Sequence, residues 1–266
     1  MTPPPGGAGG SRVALVTGAA RGIGASVVRR LLARGYVVHA LDSCAGDTAG
    51  TTYPLASRAD LDAVAALDPS RVLPVVADVR DGAALRDAAA DVVARNGSLD
   101  VVVAGAAVLA GGAPLWETDP DDLRMLWEVD ALGVWNTAHA TVPHLLASRA
   151  DPVFVGIASA AGERGLWHLA AYCMAKHAVV GIVRGLAADL KGTGVTACAV
   201  SPGSTDTSML VATAAVYGVD VATLAESQAA GRPLAADEVA AVVEFACTAG
   251  TVVHGSVLHA DGGFGA

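Results

Sequence analysis

The sequence predicts a doubly wound α/β domain, with seven parallel strands in one sheet and helices on both faces. Three observations predict it. Seven Val-rich runs recur along the chain, at residues 13–17, 37–42, 73–77, 101–104, 153–158, 195–201 and 256–259. Each run is almost continuously apolar, as strands covered on both faces must be. Ala-rich segments of helical period alternate with them, which favours parallel strands joined by crossover helices.

Taken in order, the first run ends in the glycine-rich turn Thr17-Gly18-Ala19-Ala20-Arg21-Gly22-Ile23-Gly24, and a helical pattern covers 23–34. The second run ends at Asp42. Residues 44–58 then exceed the about 2–6 residues usual for such connections and read as an insertion before a helix-like stretch at 59–67. Further helical patterns cover 120–146, 170–190 and 236–247. Asp119 followed by Pro120 is a good start for the first of these. Residues 1–11 read as a disordered leader, and 12–266 as one domain. Within it, 205–231 reads as a mobile lid.

Bulk properties narrow the function. Hydrophobic residues make up 53% of the chain and charged residues 16%. The longest uncharged stretch, 101–116, is broken by glycines and a proline and is too short to span a bilayer. A net charge of −9 with no basic block disfavours nucleic acid. The N-terminus has no secretory pattern. The four cysteines are scattered, which fits a reduced, cytoplasmic protein. Neither they nor the histidines have metal-ligand spacing, so no metal is expected.

The glycine turn follows a strand and opens a helix. That context suits a dinucleotide pyrophosphate: glycines allow close backbone approach, and a helix N-terminus offers free N–H groups. Asp42 stands where a carboxylate accepts from the adenosine ribose and repels a 2′-phosphate, so NAD is preferred over NADP. Arg21, which could meet such a phosphate, and a turn-capping role for Asp42 stay open. Asp78 is placed to accept from adenine, with Val79 against the ring. The insertion should lie near the adenosine half of the cofactor, or be a plain surface loop.

Tyr172 and Lys176 stand four apart on one helix face. An adjacent ammonium favours the phenolate and lowers a tyrosine pKa from about 10. Tyr172 then serves as a base for alcohol oxidation or an acid for ketone reduction. Ser159, at the end of the fifth run, can hold the substrate oxygen beside it.

With these motifs the chain resembles a short-chain dehydrogenase/reductase from about Arg12 to Gly263. The resemblance is carried by TGAARGIG, ADV at 77–79, SAAG at 159–162, YCMAK, SPG at 201–203 and DGG at 261–263. It implies a single Rossmann-type domain, commonly a homotetramer, with Ser159, Tyr172 and Lys176 in catalysis. The cofactor contacts it implies are Gly18, Arg21, Gly22, Ile23 and Gly24 in the turn, and Asp42, Ser43 and Cys44 after strand two. Asp78, Val79, Ala104, Gly105 and Ala106 follow strands three and four. Tyr172 and Lys176 join them, with Val200, Pro202, Gly203, Ser204, Thr205 and Thr207 on the nicotinamide side. The segment 41–64 is further similar to the insertion of mycofactocin-coupled dehydrogenases. That likeness implies NAD held without exchange, its electrons leaving through mycofactocin, a peptide-derived redox carrier.

Two positions depart from the family pattern. Gly105-Ala106-Ala107 replaces the usual NAG, so the strand-stabilising Asn is absent. Asp130 stands where the family places a catalytic Asn that anchors a water beside the lysine. Asp130 can still accept that water, but a carboxylate near Lys176 would offset the charge acting on Tyr172. Activity with a shifted pH optimum is the expectation.

The substrate pocket should use Ser159, Ala160, Leu169, Tyr172 and Met209, with His168 either donating to the substrate oxygen or serving as a loop residue. Such a lining suits a hydrophobic alcohol or ketone. Three functions stay open: a mycofactocin-coupled dehydrogenase with trapped NAD, an ordinary reductase exchanging NAD(H), and a catalytically silent NAD-binding scaffold.

Overall fold

The structure is a computed structural model that describes residues 11–48 and 50–265. Apart from Ser11, the predicted leader lies outside the described residues, as do Ala49 of the insertion and Ala266. The strands are β1 Val13–Thr17, β2 Val37–Asp42, β3 Val72–Val76, β4 Val101–Ala104, β5 Val153–Ile157 and β6 Thr196–Pro202, followed by the short β7 Thr205–Asp206 and β8 Leu234–Ala235, and by β9 Val257–Ala260. Seven of them form one parallel sheet in the order β3-β2-β1-β4-β5-β6-β9, and β7 pairs with β8 apart from it. Strand succession thus reverses between β1 and β4, where a doubly wound sheet opens its ligand crevice.

The helices are α1 Gly22–Ala33, α2 Arg58–Ala65, α3 Gly82–Asn96, α4 Pro120–Leu126, α5 Gly133–Ala147, α6 Ala170–Asp189, α7 Ser208–Tyr217, α8 Val221–Ala225 and α9 Ala236–Thr248. One face of the sheet packs on α1 and α9 through Val28, Leu31, Val239 and Val243. The other packs on α3, α5 and α6 through Leu85, Val92, Val134, Leu145, Val179 and Val183. This two-sided burial is why β1, β4, β5 and β6 read as unbroken apolar runs. β3 is different: Pro74 sits within it and Val76 is exposed. A residue without an N–H is tolerated there because β3 is an edge strand.

Local chemistry sets the helix starts. Asp119 accepts from the Asp121 N–H at 2.8 Å with Pro120 at the first helical position. Asp81 caps α3, and Ser57 and Asp60 form a reciprocal capping box for α2. The single helix expected over 120–146 is instead three pieces. Between α4 and α5 the backbone widens into a π-helical segment, Trp127–Leu132. Such bulges re-aim side chains, and this one leaves Trp127 exposed while Asp130 is fully buried.

His39 is a buried titratable group of the sheet interior. Its Nε2 lies 2.8 Å from Asn96 Nδ2. Burial, helped by the Arg95 charge and opposed by Asp91, pushes its pKa down from 6.5 to about 4. The folded protein therefore binds this proton less readily than the unfolded chain. His39 keeps its full contribution above the unfolded value and loses it as pH falls from 6.5 toward 4. Denaturant unfolding should show the parent losing about 3 kcal/mol more than His39→Leu across that window. Parallel losses in both proteins would remove His39 as the cause.

Candidate active site

The C-terminal ends of the central strands open onto one cleft. Its floor is the β1–α1 turn. Gly18 adopts φ +68°, and a Cβ there would lie 2.8 Å from Ala106 Cα. At Gly24 a Cβ would lie 2.0 Å from the Gly18 carbonyl oxygen. Only glycine permits this double approach. The Thr17 hydroxyl ties the turn to the strand-four end, accepting from the N–H of Gly105 at 3.0 Å and of Ala106 at 3.2 Å. It thereby holds the strand end whose usual asparagine is absent. The start of α1 carries no side-chain cap, so its first N–H groups face the cleft free for an anion. The residues present therefore fit a dinucleotide pyrophosphate.

Asp42 closes the next strand. Its Oδ2 accepts from the Ala20 N–H at 3.2 Å and its Oδ1 from the Cys44 N–H at 3.0 Å. It joins the glycine turn to the insertion while lining the cleft. The Arg21 guanidinium donates to the Pro54 carbonyl at 2.6 Å, so the turn's cation is committed to the insertion. Asp78 is gripped by Arg80, whose Nε and Nη2 reach one carboxylate oxygen at 2.9 and 2.6 Å. Against burial, that guanidinium holds the Asp78 carboxyl below its usual range.

On the opposite wall, α6 presents Tyr172 and Lys176, both buried. Lys176 Nζ lies 5.6 Å from the centre of the Tyr172 ring, 3.2 Å from Asp130 Oδ2, and donates to the Ile157 carbonyl at 3.4 Å. Asp130 Oδ1 accepts from the Val108 N–H at 2.8 Å. Burial opposes the lysine charge, yet Asp130 and the phenol hold the Lys176 pKa above its ordinary value. Burial also pushes the Tyr172 pKa up; Lys176 and the nearby Ser159 hydroxyl pull it down, and Asp130 pushes it up again. The phenol donates to Met209 Sδ at 3.9 Å, so α7 rests directly on Tyr172. Ser159 starts a 3-10 turn and accepts from the Ala161 N–H at 3.1 Å.

Most of the expected residues share this cleft: the turn glycines with Arg21 and Ile23, Asp42, Ser43, Asp78, Val79, Gly105, Ala106, Ser159, Ala160, Leu169, Tyr172, Lys176, Pro202, Gly203, Ser204, Thr205, Thr207 and Met209. Five do not line it. Val200 is buried within β6. Asp130 stands behind Lys176. Ala104 is buried within β4. Cys44, at φ +54°, packs against the α1 side of the core. His168 stacks on Trp167 with ring centroids 3.5 Å apart, and its carbonyl accepts from the Gly112 N–H, as a loop residue does.

Sequence reasoning missed Tyr53, Leu55, Arg80 and Met125, which also line the cleft. Tyr53 matters most. Its hydroxyl accepts from the Leu109 N–H at 3.1 Å, and it interacts electrostatically with both Asp130 and Tyr172. The insertion expected beside the adenosine half therefore reaches across the cleft toward Tyr172. No pattern in 44–58 announces that reach; a lone tyrosine in a loop was the only signal. Among the described residues no cluster has the makings of a metal site.

A family model described as enoyl-(acyl carrier protein) reductase matches residues 18–265. Over 258 residues, 95% of this chain and 96% of the relative, the chain is 37% identical to a cis-4-hydroxycyclohexanecarboxylate dehydrogenase of Sinomonas cyclohexanicum. It is 38% identical over 202 residues, 75% of this chain and 73% of the relative, to an uncharacterised NAD-dependent oxidoreductase of Mycobacterium tuberculosis. A solved carveol dehydrogenase of Mycobacterium avium in complex with NAD superposes with a TM-score of 0.88 at 28% identity, covering 96% of this chain and 97% of that one. A glycine cradle facing the buried Tyr172–Lys176 pair, together with these relatives, makes the protein, by class, a dinucleotide-dependent oxidoreductase. The chain belongs to the short-chain dehydrogenase/reductase family, and its cofactor is NAD.

The cradle is directly testable. Gly24→Ala should weaken NAD binding at least about 100-fold, about 2.7 kcal/mol, in calorimetric titration of cofactor-stripped protein. Unchanged affinity would mean that the turn does not meet the cofactor.

Proposed function

We propose that this protein interconverts a hydrophobic secondary alcohol and its ketone, with Tyr172 as acid/base and an NAD that is retained between turnovers and reoxidised by mycofactocin. The observation that carries the reading is the insertion, which is fastened at both ends of the cleft: Arg21 to Pro54, and Leu109 to Tyr53. Gly46 and the chain at 55–56 exchange backbone hydrogen bonds at 3.0 and 2.9 Å, closing the loop on itself. A segment tied in this way must open before a dinucleotide can leave.

NAD supplies the hydride acceptor or donor. The chain's residues do the rest. Ser159 orients the substrate oxygen toward Tyr172. Tyr172 takes the hydroxyl proton in oxidation and returns it in reduction, while the Lys176 ammonium favours the phenolate. Leu166, Leu169, Met209 and Leu210 give the substrate side an apolar wall. That wall, and the alcohols in the names of the two dehydrogenase relatives, support a secondary alcohol on a hydrocarbon ring.

Two wider assignments belong to the same reading. Exposed Leu123, Trp127 and Trp135 along α4–α5, with Met174 on α6, support a homotetramer. The four cysteines carry no disulfide, which supports a cytoplasmic setting. No helix among the described residues is long and apolar enough to cross a membrane.

Purified protein should carry NAD through gel filtration and release it on denaturation, and Tyr53→Phe should release it faster. With an artificial electron acceptor and a panel of cyclic alcohols the parent should turn over. Tyr172→Phe should be about 10²–10⁴-fold slower. Rapid turnover on added NAD alone would instead mark an ordinary exchanging reductase. Equal activity of parent and Tyr172→Phe would remove the tyrosine from the chemistry.

A further inference from the structure

Behind Tyr172 the site holds a group that takes no part in binding substrate or cofactor. Asp130 is fully buried, on a π-helical segment whose widening turns it inward. Its two oxygens are divided. Oδ1 anchors the Val108 N–H at 2.8 Å, and Oδ2 lies 3.2 Å from Lys176 Nζ without an aligned hydrogen bond. An amide at this position could keep the Val108 bond. It could not supply a full negative charge to the lysine.

We propose that Asp130 is a positioning residue that neutralises Lys176, so that Tyr172 acts as a base against a net-neutral pair and alcohol oxidation is driven toward alkaline pH. The inference rests on the reading of Tyr172 as acid/base. Its physical content is a count of charge. Lys176 alone would place one positive charge beside the phenol. Lys176 with Asp130 places a dipole there, whose field falls off faster and whose negative end also lies inside the dry site. At the low effective dielectric of a buried site each of these charges acts strongly on the phenol.

The other titratable neighbours cannot substitute. Cys173 on α6 is held as a neutral thiol by burial. Tyr53 on the insertion is pushed up to about 12, chiefly by burial, and so stays neutral. Ser159 offers only a hydroxyl. Burial pushes the Asp130 carboxyl up, while Lys176 and the Val108 N–H pull it down; it is the sole carboxylate acting on the Tyr172–Lys176 pair among these groups. It also binds Val108, next to the residue that Tyr53 holds. The insertion and the charge pair thus share two successive amides of one loop.

Asp130→Asn tests the proposal. In the NAD-loaded protein, the apparent pKa of kcat/KM for alcohol oxidation should fall by about one pH unit or more. Activity at pH values below that limb should rise about tenfold. A second readout does not depend on turnover: the phenolate absorbance of Tyr172, taken as parent minus Tyr172→Phe, should titrate lower by the same amount in Asp130→Asn. Asp130→Glu, which restores the carboxylate, should return both curves toward the parent. Coincident titrations in parent and Asp130→Asn, with bound NAD unchanged, would overturn the proposal. So would a loss of activity at all pH values that Asp130→Glu does not reverse, since a merely structural carboxylate behaves that way. Failure of the underlying reading is separate, because it shows as an active Tyr172→Phe.

Discussion

An ammonium whose side chain is only 3% exposed must be compensated from every side, and Lys176 is compensated by three elements at once. Its own helix supplies Tyr172, the end of β5 supplies the Ile157 carbonyl, and the widened helix between α4 and α5 supplies Asp130. Leaving a buried charge of this kind unpaired costs several kcal/mol. The elements are therefore committed to one arrangement. Tyr172 is placed by the same commitment, because it sits one turn from the lysine on α6. Through Asp130 the constraint continues to Val108 and so to the loop over the cleft.

The cleft joins two chemistries that the fold keeps on opposite walls. The glycine turn of β1–α1 is shaped for an anionic, polar ligand, and Asp42 stands beside it in the cleft. The α6 wall and α7 form an apolar pocket around one phenol, with Met209 resting on it. The reversal of strand succession between β1 and β4 brings the two walls together. The insertion then crosses from one to the other. Its contacts with Arg21 and Leu109 give it a structural role in a protein of this family that the glycine turn and the Tyr–Lys pair do not require.

The sheet was legible because burial on two faces leaves a plain mark in sequence: seven apolar runs at the places where seven paired strands lie. The helix starts at Asp119-Pro120 and in the glycine turn were legible for a similar reason, since capping and positive φ restrict residue types locally. Edge position explains the two strands that are less completely buried, β3 with Pro74 and β9. The π-helical segment was not legible. It keeps the apolar spacing of a helix nearly intact, while it carries the buried Asp130 to Lys176. The position of Cys44 was equally hidden, because loop orientation follows from neighbours distant in sequence.

The sequence by itself determined the doubly wound class, the glycine turn after the first strand and the proposed set of Ser159, Tyr172 and Lys176, because each is read from residue types in local patterns. The tertiary structure alone decided what surrounds them. Asp130 and Lys176 are 46 positions apart in the chain and 3.2 Å apart in space. Tyr53 meets Leu109, and Arg21 meets Pro54, only because the insertion folds back across the cleft. Contacts of that kind form through packing between separate elements, and packing leaves no periodic trace along the chain.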